Sequence, residues 1–194
     1  VVIGGGVAGE HAAANAIGLG AQVTVLDVNL ARLRELEHRY GNALQTGAST
    51  RYAIAEALQS ADLVIGSVLI PGAAAPKLVT DDMVAGMKPG SLLVDIAIDQ
   101  GGCFEGSHAT THDAPTFAVH DALYYCVANM PGAVPETSTR ALTNATLPYV
   151  TALADRGWDA AAAADPSLAK GLNVRGGEVV NAGVAAALGY AQAD

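Results

Sequence analysis

Two spacings of apolar residues alternate along the chain from Val1 to Met130. Val1-Val2-Ile3 is an unbroken β-branched run, and 22–27 is a second apolar run that ends in an acid, Asp27. Between them Ala12, Ala13, Ala16, Ile17 and Leu19 recur at the helical period. Leu30, Leu33, Leu36 and Tyr40 repeat that period with Arg32, Arg34, Glu35 and Arg39 between them, and Gly41-Asn42 ends the helix. A short strand at 43–46 follows, then a helix capped by Ser49 or Thr50 that carries Ile54, Ala57 and Leu58. The run 62–70 has the continuous apolar character of a strand buried on both faces, and Pro71-Gly72 ends it. A short helix is expected at 82–87, a fifth strand at 91–96, and last strands at 116–119 and 124–127.

Strand alternating with helix implies an α/β fold, a doubly wound parallel sheet. In such a sheet the ligand crevice lies at the carboxyl ends of the strands. Those ends put Asp27, Val68, Leu69, Ile96, Ala97, Ile98, Asp99, Val127, Ala128, Asn129 and Met130 on one rim.

The pattern changes at 130–135, where two prolines and a glycine mark a domain exit. Thr137, Ser138 or Thr139 offers an N-cap for a helix to about residue 154, with Leu142, Ala145, Leu147, Val150 and Leu153 apolar and a kink expected at Pro148. From Trp158 the chain is Ala-rich, with short helices broken at Pro166 and Gly176-Gly177. The expected organisation is an α/β domain over 1–136 and a C-terminal helical segment over 137–194, of which the tail from Trp158 is too small to fold alone. The chain opens within a strand and without an initiator Met, so a segment of a longer protein is expected, its tail packing on the part not present.

Composition narrows the class. Half of the residues are apolar (51%) and 15% are charged, which suits a large core and excludes a disordered chain. A net charge of −9 argues against a nucleic-acid or anionic-membrane surface. No apolar run has the length of a membrane span and no signal peptide is visible. Cys103 and Cys126 form no metal-like cluster, and a reduced, cytoplasmic setting fits two thiols better than a disulfide.

The first turn supplies the chemistry. Gly4-x-Gly6-x-x-Gly9 follows a strand and opens a helix, the context that gives this motif meaning. Gly4 allows the sharp turn, Gly6 lets a pyrophosphate approach the backbone, and Gly9 lets the helix pack on the sheet. The helix N-terminus then holds phosphate through free N–H groups and the dipole. Asp27 lies 23 residues after Gly4, close to the spacing of about 20 for the acid that accepts from an adenosine ribose. Its simpler reading is a cap for the helix beginning near Leu30. Motif, context and acid together favour a Rossmann-type dinucleotide site. Asp27 would repel a 2′-phosphate, so NAD is expected rather than NADP.

The stretch 94–106 leaves the fifth strand and enters a glycine-rich loop. Asp95 lies inside the strand and reads as an acceptor for backbone N–H groups, whereas Asp99 lies at the strand end beside the crevice. His112-Asp113 and His120-Asp121 lack a third ligand at familiar spacing and read as solvated turns, so no metal is expected. Cys103 has no base tied to it by spacing and reads as a buried or loop thiol.

Three stretches carry a family resemblance: VDIAIDQGGCFEG at 94–106, THDAPTFAVHDALYYCVANMPGAVPETSTRALTNATLPY at 111–149 and LAKGLN at 168–173. Together with the glycine turn they resemble the L-alanine dehydrogenases along the whole chain. The resemblance implies the NAD-binding domain and C-terminal segment of an enzyme that converts L-alanine, NAD and water to pyruvate, ammonium and NADH, with the first part of the substrate domain absent. It implies a hexamer. It implies that Val7 and Ala8 line the phosphate turn, that Asp27 holds the ribose, and that Arg32 stands where relatives often carry a Lys near it. Ser49 would border the adenine, and Val68-Leu69 would pack on the cofactor. Ile96, Ala97, Ile98, Asp99, Val127, Ala128, Asn129 and Met130 would surround the nicotinamide, with Asp99 as the catalytic aspartate assisting proton transfers. The chain departs from relatives at His108, where they commonly carry an Arg near the phosphates. Two rival readings share the fold: the NAD-binding subunit of a proton-translocating nicotinamide nucleotide transhydrogenase, and a non-catalytic NAD-binding module.

Overall fold

The computed structural model describes residues 1–68 and 75–191. In chain order the first part forms β1 (Val2–Ile3), α1 (Val7–Gly18), β2 (Val23–Asp27), α2 (Leu30–Tyr40), β3 (Leu44–Ala48), α3 (Arg51–Ser60), β4 (Leu63–Gly66), α4 (Asp81–Ala85), β5 (Leu92–Asp95), β6 (Thr116–Val119) and β7 (Ala122–Tyr125). Seven strands make one sheet in the order β3-β2-β1-β4-β5-β7-β6. β1 pairs in parallel with β2 on one edge and β4 on the other, so the strand order reverses beside β1. A ligand crevice belongs at that switch point.

Alternation along the strands sorts the core onto two faces. Val2 and Val25 pack with Ala13 of α1 and Leu33 and Leu36 of α2. Ile3 and Leu26 face the other way and pack with Ile54 and Leu58 of α3, Val84 of α4, and Leu93. Leu36, Ile54 and Leu58 are fully buried, each contributing about 1.5–3 kcal/mol of transfer free energy. This is the doubly wound α/β architecture of a Rossmann-type domain.

The helix starts have local causes. Asn29 caps α2, its side chain accepting from the N–H groups of Ala31 and Arg32. Of the two caps expected for α3, Thr50 does the capping, accepting from Ala53 N at 3.1 Å. α1 begins after Gly6, which has no side chain to cap with.

Several expectations are corrected. β4 is shorter than the run 62–70 suggested; Leu69, Ile70, Pro71 and Gly72 lie outside the described residues. The last two strands are not both parallel to the rest. β7 pairs in parallel with β5, but β6 runs antiparallel to β7, turning through His120 at φ 51° and Asp121. That tight turn places β7 at 122–125, two residues before the expected strand.

A second unit starts at Met130. It comprises α5 (Pro135–Ala164), α6 (Pro166–Ala169), β8 (Val174–Arg175), β9 (Glu178–Val179) and α7 (Ala182–Leu188). Pro135 sets the start of α5, because proline is pre-organised for a first helical turn. Thr137, Ser138 and Thr139 therefore lie inside the helix rather than at its cap, and Ser138 Oγ donates back to Pro131 O at 2.8 Å. The backbone leaves helical geometry at Gly157 (φ 71°, ψ 172°), not at Pro148. Gly176 and Gly177, at φ 60° and 89°, form the turn of a β8–β9 hairpin the sequence pattern did not reveal. Among the described residues, no helix is long and apolar enough to cross a membrane.

Candidate functional site

The turn after β1 is held by contacts that leave no room for side chains. Gly4 sits at φ 101°, and a Cβ there would lie 2.8 Å from Ser67 O. Ser67, just past β4, donates from Oγ to Ile3 O at 3.1 Å and Gly4 O at 2.8 Å, stitching the turn to the neighbouring strand. A Cβ on Gly9 would fall 1.8 Å from Gly4 O. Gly6 differs from both: nothing lies within 4 Å of a Cβ built there. Val7 beside it is 77% exposed. The turn is thus packed behind and open in front, as an approaching phosphate requires.

Asp27 ends β2 facing this turn. Its Oδ2 accepts from Gly5 N at 2.6 Å and its Oδ1 from Asn29 N at 2.7 Å. The carboxylate ties the glycine turn to the start of α2, while Asn29 is the helix cap. Ser49 is placed by its own N–H, which donates to Asp27 O at 3.0 Å.

A cleft of about 960 Å³ opens along the carboxyl ends of the strands. It brings together Gly4, Gly6, Val7, Ala8, Asp27, Ser49, Val68, Ile96 and Ala97 from the sequence-derived set. Gly9, Arg32, Ile98, Asp99 and Val127 to Met130 are not among its lining residues, and Leu69 lies outside the described residues. Arg32 turns instead to Glu10 and Glu35. Thr50, Arg51, Pro76, Lys77, Leu78 and Thr80 line the cleft and were missed. Lys77 is held there by donating to Gly101 O at 2.6 Å and Phe104 O at 3.1 Å. A lone Lys after a Pro was the only sequence signal for it.

The two carboxylates beyond β5 have opposite surroundings. Asp95 is fully buried. Its Oδ1 accepts from Ala97 N at 3.1 Å, and its Oδ2 from Cys103 N at 2.9 Å, Phe104 N at 3.3 Å and Ser107 Oγ at 2.6 Å. Asp95 is the acceptor for backbone N–H groups its strand position predicted. It caps the 3-10 turn Ile96–Gln100 that carries Asp99. Asp99 is exposed, and its Oδ1 accepts from Asn129 N at 3.4 Å. Asn129 takes φ 53°, a conformation Asn tolerates better than most residues.

Cys103 and Cys126 are buried free thiols. Burial, with Asp95 alongside, pushes the Cys103 thiol far above its usual range, and burial raises that of Cys126 to about 11. Neither is a poised nucleophile. His108 stacks on Phe117 with ring centroids 3.8 Å apart. His120 Nε2 lies 2.9 Å from Asp81 Oδ2, and no group of three or more His, Cys, Asp or Glu that could hold a metal occurs among the described residues.

A family model described as alanine dehydrogenase/PNT, C-terminal domain, matches residues 1–182. The chain belongs to the alanine dehydrogenase/PNT C-terminal domain family. Alanine dehydrogenase of Mycolicibacterium smegmatis is 60% identical over 185 residues, covering 95% of this chain and 50% of that protein. That of Bacillus subtilis is 53% identical over 190 residues, covering 97% and 50%. A solved L-alanine dehydrogenase superposes with a TM-score of 0.83 at 47% identity, over 97% of this chain and 52% of that one. A transhydrogenase from Sinorhizobium meliloti superposes less closely, with a TM-score of 0.72 at 31% identity, over 93% and 48%. The chain spans about half the length of the curated relatives it matches. Within the alanine dehydrogenase/PNT family, the glycine turn, Asp27 and the Asp95–Asp99 loop all fall in the matched region.

Proposed function

We propose that this chain is the NAD-binding part of an NAD-dependent L-alanine dehydrogenase, which interconverts L-alanine with pyruvate and ammonium. One observation carries the reading: a single cleft joins an open glycine turn, an acid at the end of β2, and the start of the loop bearing Asp99. The names of the relatives support the same activity.

The residues fit a dinucleotide. Gly6 leaves the backbone of the turn accessible, and the uncapped start of α1 suits phosphate. Asp27 lines the cleft with a carboxylate fixed by Gly5 and Asn29, so each oxygen keeps lone-pair capacity for a ribose hydroxyl. That charge disfavours a 2′-phosphate. Ser49 would border the adenine, and Val68, Ile96 and Ala97 supply the wall towards the nicotinamide. The chemistry supplied by NAD when bound is acceptance of a hydride from the carbon that bears the amino group. Asp99 is the residue proposed for proton handling: Asn129 N–H orients Oδ1, and Oδ2 takes or holds a proton of the substrate amine or of water. Ile98 and Val127 to Met130 are proposed to complete the surroundings of the nicotinamide. Arg32, which pairs with glutamates, has no direct part in this scheme.

Residues 1–136 are proposed as the cofactor domain and 137–194 as a segment that packs on another part of a longer protein. A cytoplasmic homo-oligomer, a hexamer by family resemblance, accompanies the reading. The transhydrogenase alternative is weaker, since identity and superposition both favour the alanine dehydrogenase structure. The deciding assay is NADH production by the full-length protein from L-alanine and NAD. Alanine-dependent turnover is expected; dinucleotide binding without any alanine-dependent turnover would contradict the reading.

A further inference from the structure

Asp27 and Arg32 bring opposite charges to the same end of the sheet, yet only Asp27 lines the cleft. Each nitrogen of the Arg32 guanidinium has a partner. Nε donates to Gly5 O at 2.7 Å, Nη1 to Glu35 Oε2 at 3.0 Å, and Nη2 to Glu10 Oε2. Glu10 is the hub of this cluster. Its Oε1 also accepts from Arg39 Nη1 and, at 3.2 Å, from the Tyr40 hydroxyl. Its side chain keeps 12% exposure, against 66% for Glu35, so Glu10 is the better shielded of the two counter-charges. The Arg32 guanidinium holds the Glu10 carboxyl below the usual carboxylate range, so both partners stay charged at neutral pH.

Gly5 links the two charges. Its N–H donates to Asp27 Oδ2 at 2.6 Å and its carbonyl accepts from Arg32 Nε. One residue of the glycine turn, Gly5, therefore stands between the acid that faces the cleft and the guanidinium that does not. An acid in the first turn of a helix ordinarily serves the helix dipole. The named partners of Glu10 all lie on α2 instead, 22 to 30 residues away.

We propose that Glu10 is a cofactor-specificity residue: by holding the Arg32 guanidinium it denies that charge to the extra phosphate of a 2′-phosphorylated dinucleotide. The inference rests on the reading of the cleft as a dinucleotide site. A guanidinium that is not already paired binds phosphate strongly and often bidentately. Selectivity for the unphosphorylated cofactor then has two parts, repulsion by Asp27 and removal of one competing attraction.

The test is calorimetric titration of the full-length protein with NADH and NADPH at fixed salt, comparing the wild type with Glu10→Gln. Freeing Arg32 should lower the NADPH-to-NADH ratio of Kd about tenfold, with the NADH Kd changing by no more than about threefold. In the double variant Glu10→Gln/Arg32→Gln the ratio should return to the wild-type value. An unchanged ratio in Glu10→Gln, or a shift that persists in the double variant, overturns the role given to Glu10. Failure of the wild type to bind NADH overturns the dinucleotide reading, and this proposal with it. If Glu10→Gln does not fold by circular dichroism, Arg32→Gln alone serves as the test: with Arg32 already withheld by Glu10 the ratio should stay within about twofold of the wild type, and a rise beyond that would show that Arg32 reaches the phosphate with Glu10 in place and overturns the proposal.

Discussion

Asp95 and Asp99 are the same residue type four positions apart, and their surroundings divide the work between them. Asp95 is buried and fixes the loop from Ala97 to Ser107, whereas Asp99 is exposed with one backbone donor, Asn129 N–H. Strand position alone separated them in the sequence, because a carboxylate inside a central strand has only backbone and loop groups to meet. Arg32 was less legible. The family resemblance put it near the ribose, whereas its partner Glu10 lies 22 residues earlier on α1, and only the packing of α1 beside α2 brings them together. In the full-length protein, Asp99→Asn keeps shape and most hydrogen bonding but loses the proton-accepting capacity. Turnover of L-alanine should fall by about 10² or more, the usual scale for general acid–base catalysis. NADH affinity should stay within about threefold, since Asp27 and the glycine turn line the cleft and Asp99 does not. Equal losses of turnover and NADH affinity would instead mark Asp99 as structural.

At the scale of elements, the β1–α1 junction has the least freedom. A methyl group on Gly9 meets the backbone carbonyl of Gly4 at 1.8 Å, and no rotamer can relieve a clash with main chain. Gly9→Ala must push α1 off the sheet, at a cost of about 1–3 kcal/mol or more. Thermal unfolding followed by circular dichroism should register a fall of several degrees, and NADH affinity should weaken because the turn itself moves. An unchanged midpoint with unchanged affinity would show that the junction is slack. The elements from β1 to β5 were readable because their apolar periods, turn glycines and caps agree with one another. β6 was read at 116–119, where it lies, but its antiparallel direction was not, because a four-residue strand carries no mark of direction; pairing decided it. In the second unit Thr137, Ser138 and Thr139 advertised a cap, but Pro135 had already begun the helix. Pro148 was the obvious breaker there, yet α5 departs from helical geometry at Gly157, where φ 71° is open to glycine and strained for other residues.

At the scale of the whole molecule, binding and turnover make different demands. Binding a dinucleotide needs the cleft that Gly4, Gly6, Asp27, Ser49 and Ile96 already line. Turning over an amino acid also needs a cation to hold its carboxylate beside Asp99. Of the cations in the cleft lining, Lys77 is committed to the carbonyls of Gly101 and Phe104, and Arg51 opens α3 next to Ser49. Arg32 and Arg39 are paired with Glu10, and Lys88 with Asp62. Under the proposed function the carboxylate-holding group is expected from sequence outside this chain, which spans about half of its curated relatives. The 194-residue chain by itself should bind NADH, with a rise in its thermal midpoint as ligand is added, because a ligand that binds only the folded state stabilises it. The same preparation should produce no NADH from L-alanine and NAD. Alanine-dependent NADH production by this chain alone would mean that its own cations can hold the substrate, with Lys77 the first to substitute. Loss of NADH binding on isolation would mean instead that the cleft takes its final shape only within the longer protein.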